Sequence, residues 1–222
     1  MDCVRAAEKT ARPVRSRLGF VAARGTPWAT YGLILANIGV YLLAPVLLGR
    51  NWRLDLGLWP EWGAVVEAAY PASGDDWYRW ITAGFVHFSL VHVGLNMFVL
   101  WQFGTQLEPA LGRVRFLALY FVALLGSSAA VVLLGSAGSV HGGASGAIFG
   151  LIAAYAIVLR ALRLPWVNMA VFAGVWLVAG FFFTGLSWEG HLGGAIAGGL
   201  TMAIMLRGVA KRERAGRIGA GG

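Results

Sequence analysis

Polar and apolar positions are segregated along this chain. Charges gather in clusters, and between the clusters run apolar stretches of 15 to 21 residues. Stretches of that length and polarity read as membrane-spanning helices, because a bilayer core offers the backbone no water and roughly 20 helical residues cross it. Six spans are predicted: Trp28–Leu48, Phe85–Phe103, Phe116–Leu134, Ser145–Leu159, Pro165–Phe183 and His191–Leu206. Pro45 is expected to kink the outer end of the first. The long connection Gly49–Trp80 is neither a plain loop nor a span. In it Trp52, Trp59, Trp62, Trp77 and Trp80 alternate with Asp55, Glu61, Glu67, Asp75 and Asp76. Amphipathic rings favour the headgroup zone, so this stretch is expected to lie along or dip into the membrane interface. The expected fold class is all-α, a polytopic membrane protein. It divides into a basic arm at 1–27, a six-helix domain at 28–206 and a basic tail at 207–222.

Composition supports that reading. Of the 222 residues, 58% are hydrophobic and 13% charged, where a soluble domain carries roughly 25% charged. The net charge of +8 does not point to nucleic acid, because its carriers sit in tails and short loops. Of the 18 Lys and Arg, 15 fall in the two tails and in the segments 104–115 and 160–163; only Arg50, Arg53 and Arg79 lie opposite. The excess of basic residues on cytoplasmic loops then places both termini in the cytoplasm of a cell-membrane protein. The arm lacks the apolar core and small-residue cleavage site of a secretory signal. The single cysteine, Cys3, excludes an intrachain disulfide framework. Four histidines without a Cys or carboxylate cluster fit no common metal-ligand spacing, and no cofactor is expected.

The chemistry gathers around the stretch GGASGAIFG, Gly142–Gly150. Polar groups inside spans are costly and usually functional, and all four histidines lie in or beside spans. The fourth span, about 22 Å long against a hydrocarbon core of about 30 Å, sinks Ser145 roughly 8 Å below the outer boundary. The last span has a similar length, so His191 reaches a similar depth. Gly146 and Gly150 on one helix and Gly194 and Gly198 on the other allow close approach. Ser145 is therefore expected to be a nucleophile and His191 its base. His92 and Asn96 share a face at i and i+4 and can help hold an oxyanion, with the backbone N–H of Ser145. Gly143 joins them as a site-supporting residue. No span offers a carboxylate to orient His191, so a dyad is expected, with Phe149 packed against the imidazole. Other readings stand beside these: Ser145 as a helix N-cap, His92 and Asn96 as interhelical glue, and His141 as a rival base. His87 is expected to pin the start of its helix or the outer loop, and Glu108 with Arg113 to tie down a cytoplasmic loop.

GASGAIFG, together with His87-x4-His92-x3-Asn96 and His191-x2-Gly194-x3-Gly198, closely resembles the rhomboid intramembrane serine proteases. The resemblance runs from about Trp77 to Gly198 and takes in Arg79 before His87 and Glu108 in the segment LEPALG. It departs at Tyr78, where many members carry a second Trp, a change expected to perturb only the interfacial loop. The resemblance implies a six-helix fold, a Ser145–His191 dyad and oxyanion help from His92 and Asn96. It also implies cofactor-free cleavage of the transmembrane segments of other proteins near their outer ends. A membrane-segment-binding protein without proteolysis and a small transporter are the alternatives; few acidic residues in the spans and no internal repeat disfavour the latter.

Overall fold

The computed structural model describes residues 16–20, 25–59, 76–135, 139–182 and 187–219. Most of the arm at 1–27 lies outside these residues, as do Glu61, Trp62, Glu67 and Asp75 of the long connection. Six helices of 16 residues or more are present among the described residues: α1 Trp28–Leu47, α4 Leu90–Leu111, α5 Arg113–Leu134, α6 Ser145–Ala161, α7 Val167–Phe182 and α8 Trp188–Gly219. Between α1 and α4 lie two short ones, α2 Trp52–Leu56 and α3 Arg79–Thr82, the latter flanked by 3₁₀ turns. The described elements are helical throughout, apart from one antiparallel bridge between Leu58 and His141.

Polarity is inverted relative to a soluble protein. Leu35, Val46, Leu47, Leu90, Phe98, Val114 and Leu133 are exposed, whereas Thr30, Asn37, His87, Asn96, Glu108, Ser128, Glu189 and His191 are buried. An apolar outside around a polar inside suits lipid as solvent. Helices α1, α5 and the Trp188–Lys211 part of α8 are long and apolar enough to cross a membrane, and the bent pair Arg79–Phe85 and Leu90–Leu111 makes a fourth candidate. The chain is a multi-pass membrane protein.

The second span differs from its predicted limits at both ends. Residues 85–89 are not α-helical: Ser89 is extended, its Oγ accepts the His92 N–H at 3.1 Å, and α4 starts only at Leu90. The chain bends by 97° there. At the other end α4 continues past Phe103 to Leu111 because its polar side chains are satisfied within the fold. Gln106 accepts from Tyr155 at 2.6 Å, and Glu108 is fully buried. Only Gly112, at φ 82°, separates α4 from α5, so the predicted 104–115 loop is a helix–glycine–helix junction.

Glu108 also explains how α1 begins. Pro27 precedes that helix and has no side chain able to cap it. Glu108 reaches across instead and accepts from Ala29 N at 3.0 Å, Thr30 N at 2.8 Å and Thr30 Oγ1 at 2.8 Å. A carboxylate here meets both the orphan N–H groups and the positive end of the helix dipole.

The core is built on α8, which packs most extensively against α5 and α6. Lipid tails are as apolar as leucine, so packing rather than water exclusion drives helices together. Glycines make that packing possible. A Cβ on Gly194 would run into the Gly146 carbonyl, and one on Gly198 into the Gly150 backbone. The last helix begins three residues before its predicted start at His191 and runs past Leu206 to Gly219.

The described part of the long connection is tied down by its own contacts and by those with α1 and the turn before α4. Trp52 is 1% exposed and packs with Ala44 and Val86, and the Trp59 indole donates to Leu54 O at 3.2 Å. Trp77 alone of these rings is strongly exposed, at 71%. Arg79 donates to the carbonyls of Leu54 and Gly57, and Thr82 Oγ1 to that of Leu56 at 2.8 Å.

Candidate active site

Three loop residues set the approach to α6. His141 exchanges backbone hydrogen bonds with Leu58 at 2.8 and 2.9 Å, and Gly143 N–H donates to Ala83 O at 2.8 Å. Gly143 has φ 126°, and a Cβ there would sit 2.8 Å from His92 Nε2. Only glycine lets the chain turn at this point with the His92 ring against it. Ser145 then opens α6. Ala144 occupies the N-cap position without a side-chain cap, so the Ser145 hydroxyl is not spent on its own helix end.

That hydroxyl meets the base. Ser145 Oγ lies 3.0 Å from His191 Nε2, and His191 is 3% exposed in the first turn of α8. The Phe149 ring, one turn along α6, stacks on the imidazole with centroids 4.1 Å apart and planes 10° apart. His191 Nδ1 is buried without a hydrogen-bond partner. A carboxylate does lie close by: Glu189 is buried, two residues before His191, because α8 starts early enough to include it. It accepts from Ser187 Oγ at 3.2 Å, not from the imidazole.

His92 and Asn96 reach the same region from α4. The His92 ring is stacked with Phe88 at 6.1 Å and lies edge-on to His87 at 4.9 Å. Asn96 Nδ2 donates to His92 O at 2.9 Å, which leaves its second N–H uncommitted to that bond. His87 is fully buried in the turn before α4. Its Nδ1 lies 3.3 Å from Phe85 O, and its carbonyl accepts from Arg53 Nε at 3.1 Å. His141, the rival base, faces a different hydroxyl: its Nδ1 is 3.0 Å from Ser187 Oγ.

A cavity of about 30 Å³ opens beside the Ser145–His191 pair, walled by these two with Gly143, His141, Ser187 and Ser127; His92 and Asn96 do not line it. That volume admits water rather than a peptide. Arg53, Ser127, Ser187 and Glu189 are missed by sequence reasoning. One signal was there to find: Ser187-x-Glu189 before an apolar run is an N-terminal pattern that puts the start of the helix ahead of His191.

Residues 74–208 match the family model of the rhomboid domain. The chain is 33% identical over 190 residues to rhomboid protease GluP of Bacillus subtilis (strain 168), covering 83% of this chain and 36% of that protein. It is 31% identical over 186 residues to rhomboid protease GlpG of Serratia proteamaculans (strain 568), covering 79% and 61%. The GlpG of Yersinia pestis is 35% identical over 135 residues, 57% of this chain and 47% of that one. The chain thus spans about one third to three fifths of the length of these relatives. With a matched domain that covers more than half of its residues and holds every helix from α3 to the start of the tail, the chain belongs to the rhomboid family.

Proposed function

We propose that this protein is an intramembrane serine endopeptidase that cleaves transmembrane segments of other membrane proteins near their outer ends. The observation that carries the reading is the 3.0 Å approach of Ser145 Oγ to His191 Nε2 inside a helical bundle whose outer surface is apolar. Family membership, with relatives that are named proteases, supports it.

In this reading a substrate helix enters sideways and unwinds, exposing a carbonyl. Ser145 Oγ attacks it while His191 Nε2 takes the hydroxyl proton. The tetrahedral oxyanion is held by the Ser145 backbone N–H, at the positive end of α6, with His92 and the second Asn96 N–H. The protonated His191 passes its proton to the leaving amine, an acyl-enzyme remains, and water releases it. Phe149, stacked on the face of the imidazole, orients the ring by packing, with no acid at Nδ1. Helical peptide bonds are hidden and hydrogen-bonded, so substrates carry small or helix-breaking residues near the cut. The distribution of Lys and Arg supports a reading with both termini in the cytoplasm and the site on the outer side.

The test is cleavage of a fluorescent transmembrane substrate by purified protein in detergent and in proteoliposomes. Wild type cleaves and is labelled at Ser145 by a serine-directed phosphonate, whereas Ser145→Ala and His191→Ala do neither. Activity persisting in His191→Ala but lost in His141→Ala would reassign the base. Label on any other serine would sink the mechanism. Substrate binding without cleavage by wild type would turn the assignment to a segment-binding protein.

A further inference from the structure

One polar cluster, which reaches the cavity wall through His141 and Ser187, has no part in the chemistry above. His141 Nδ1 lies 3.0 Å from Ser187 Oγ, and Ser187 Oγ donates to Glu189 Oε2 at 3.2 Å. A carboxylate only accepts, so the Ser187 proton goes to Glu189 and its oxygen receives the His141 Nδ1–H. This arrangement selects the neutral Nδ1–H tautomer of His141. Burial pushes His141 below its ordinary value of 6.5, with Glu189 pulling the other way, and a neutral ring at pH 7 agrees with that tautomer.

The placement gives the cluster its meaning. His141 and Ser187 precede Ser145 and His191 by four residues each, and both pairs are separated by 46 positions. The loop leading into α6 and the start of α8 are therefore joined twice, about one turn apart. In one pair α6's segment supplies the histidine, in the other the serine. Both ends of the upper tie are anchored. His141 is held by its two backbone bonds to Leu58, and Ser187 O accepts the N–H of His191 itself at 3.1 Å. Gly190, between Ser187 and the base, has no room for bulk: a Cβ there would be 2.8 Å from Ser127 Oγ and 3.2 Å from Ser187 Oγ.

Resting on the protease reading, we propose that Glu189, Ser187 and His141 are positioning residues, a tie that keeps the base's helix in register with the nucleophile's loop. None of the three touches the reacting atoms. Proton transfer needs a hydrogen-bonded pair, and a displacement of about 1 Å can lower a rate by up to about 100-fold.

The experiment uses the full chain with the fluorescent transmembrane substrate, kinetic constants being measured for six proteins. Ser187→Ala and His141→Phe are expected to lower kcat about tenfold at nearly constant KM, with Ser145 labelling by phosphonate slowed to match. Ser187→Thr keeps the hydroxyl and His141→Asn puts an amide nitrogen at the Nδ1 position, so both recover most of kcat. His141→Gln places its amide at the Nε2 position and does not. Unchanged kcat in Ser187→Ala, or recovery in the Gln variant but not the Asn variant, would overturn the tie. A second readout is independent of catalysis: ¹⁵N spectra of histidine-labelled protein are expected to show His141 protonated at Nδ1, with a shift on Ser187→Ala. If wild type cleaved nothing, the protease reading would fall, and a His141 signal indifferent to Ser187→Ala would separately remove the tie.

Discussion

At φ 126°, Gly143 sits where residues with side chains are strained, and the place its Cβ would take is 2.8 Å from His92 Nε2. The two constraints act on one atom, so relief of either leaves the other. Gly143→Ala is expected to destabilise the fold by about 1–3 kcal/mol and to displace the His92 ring or the loop carrying Ser145. Phosphonate labelling at Ser145 reads the consequence: the variant should label at least tenfold more slowly. A wild-type labelling rate would show that the loop tolerates the change. At this scale the sequence was partly legible. Ser145 and His191 follow from matched depth on two short spans, and Phe149 from its place one turn along α6. Ser187 and Glu189 escaped because a start placed at His191 leaves Glu189 outside the helix and Ser187 four residues ahead of it, and the partner of Ser187, His141, is 46 positions away.

Helices carry the next level of constraint, and their glycines differ in what a methyl group would meet. Gly194 and Gly198 face backbone, where a methyl group has no space; Gly94 and Gly174 face nothing within 4 Å. Gly194→Ala is therefore expected to separate α8 from α6, lowering the thermal midpoint in detergent and abolishing cleavage. Gly94→Ala adds helix propensity without a clash and should leave the midpoint equal or raise it. Equal midpoints for the two variants would refute this distinction. Apolar run length marked the six long helices well, since a span must be apolar where it meets lipid. It marked their ends poorly, because the ends are decided by internal hydrogen bonds. Ser89 holds back the start of α4, and Gln106 with Glu108 carries its end inward past Phe103. Trp52 shows the same limit: its alternation with charges suggests an interface, yet the ring is enclosed by Ala44 and Val86.

For the whole molecule, the decisive contact is the one that closes α1. Glu108 accepts three hydrogen bonds from Ala29 and Thr30 and is fully buried, with the Arg113 guanidinium 3.7 Å away and half exposed. Glu108→Ala strands these donors and is expected to cost about 1–3 kcal/mol for each buried donor left open, read as a lowered unfolding midpoint with the Ser145 site intact below it. Glu108→Gln keeps an acceptor oxygen and should fall between; a midpoint equal to wild type in Glu108→Ala would contradict the assignment. The same contact bears on biogenesis. The cap and the helix end it closes are 78 and 79 residues apart in the chain. A ribosome delivers the N-terminus of α1 long before the carboxylate that completes it. During synthesis the first span must therefore wait with open N–H groups at its end, lodged where water or headgroups satisfy them. Only when α4 emerges does the protein supply its own closure, so the arrival of one glutamate turns a tethered leading helix into a member of the bundle.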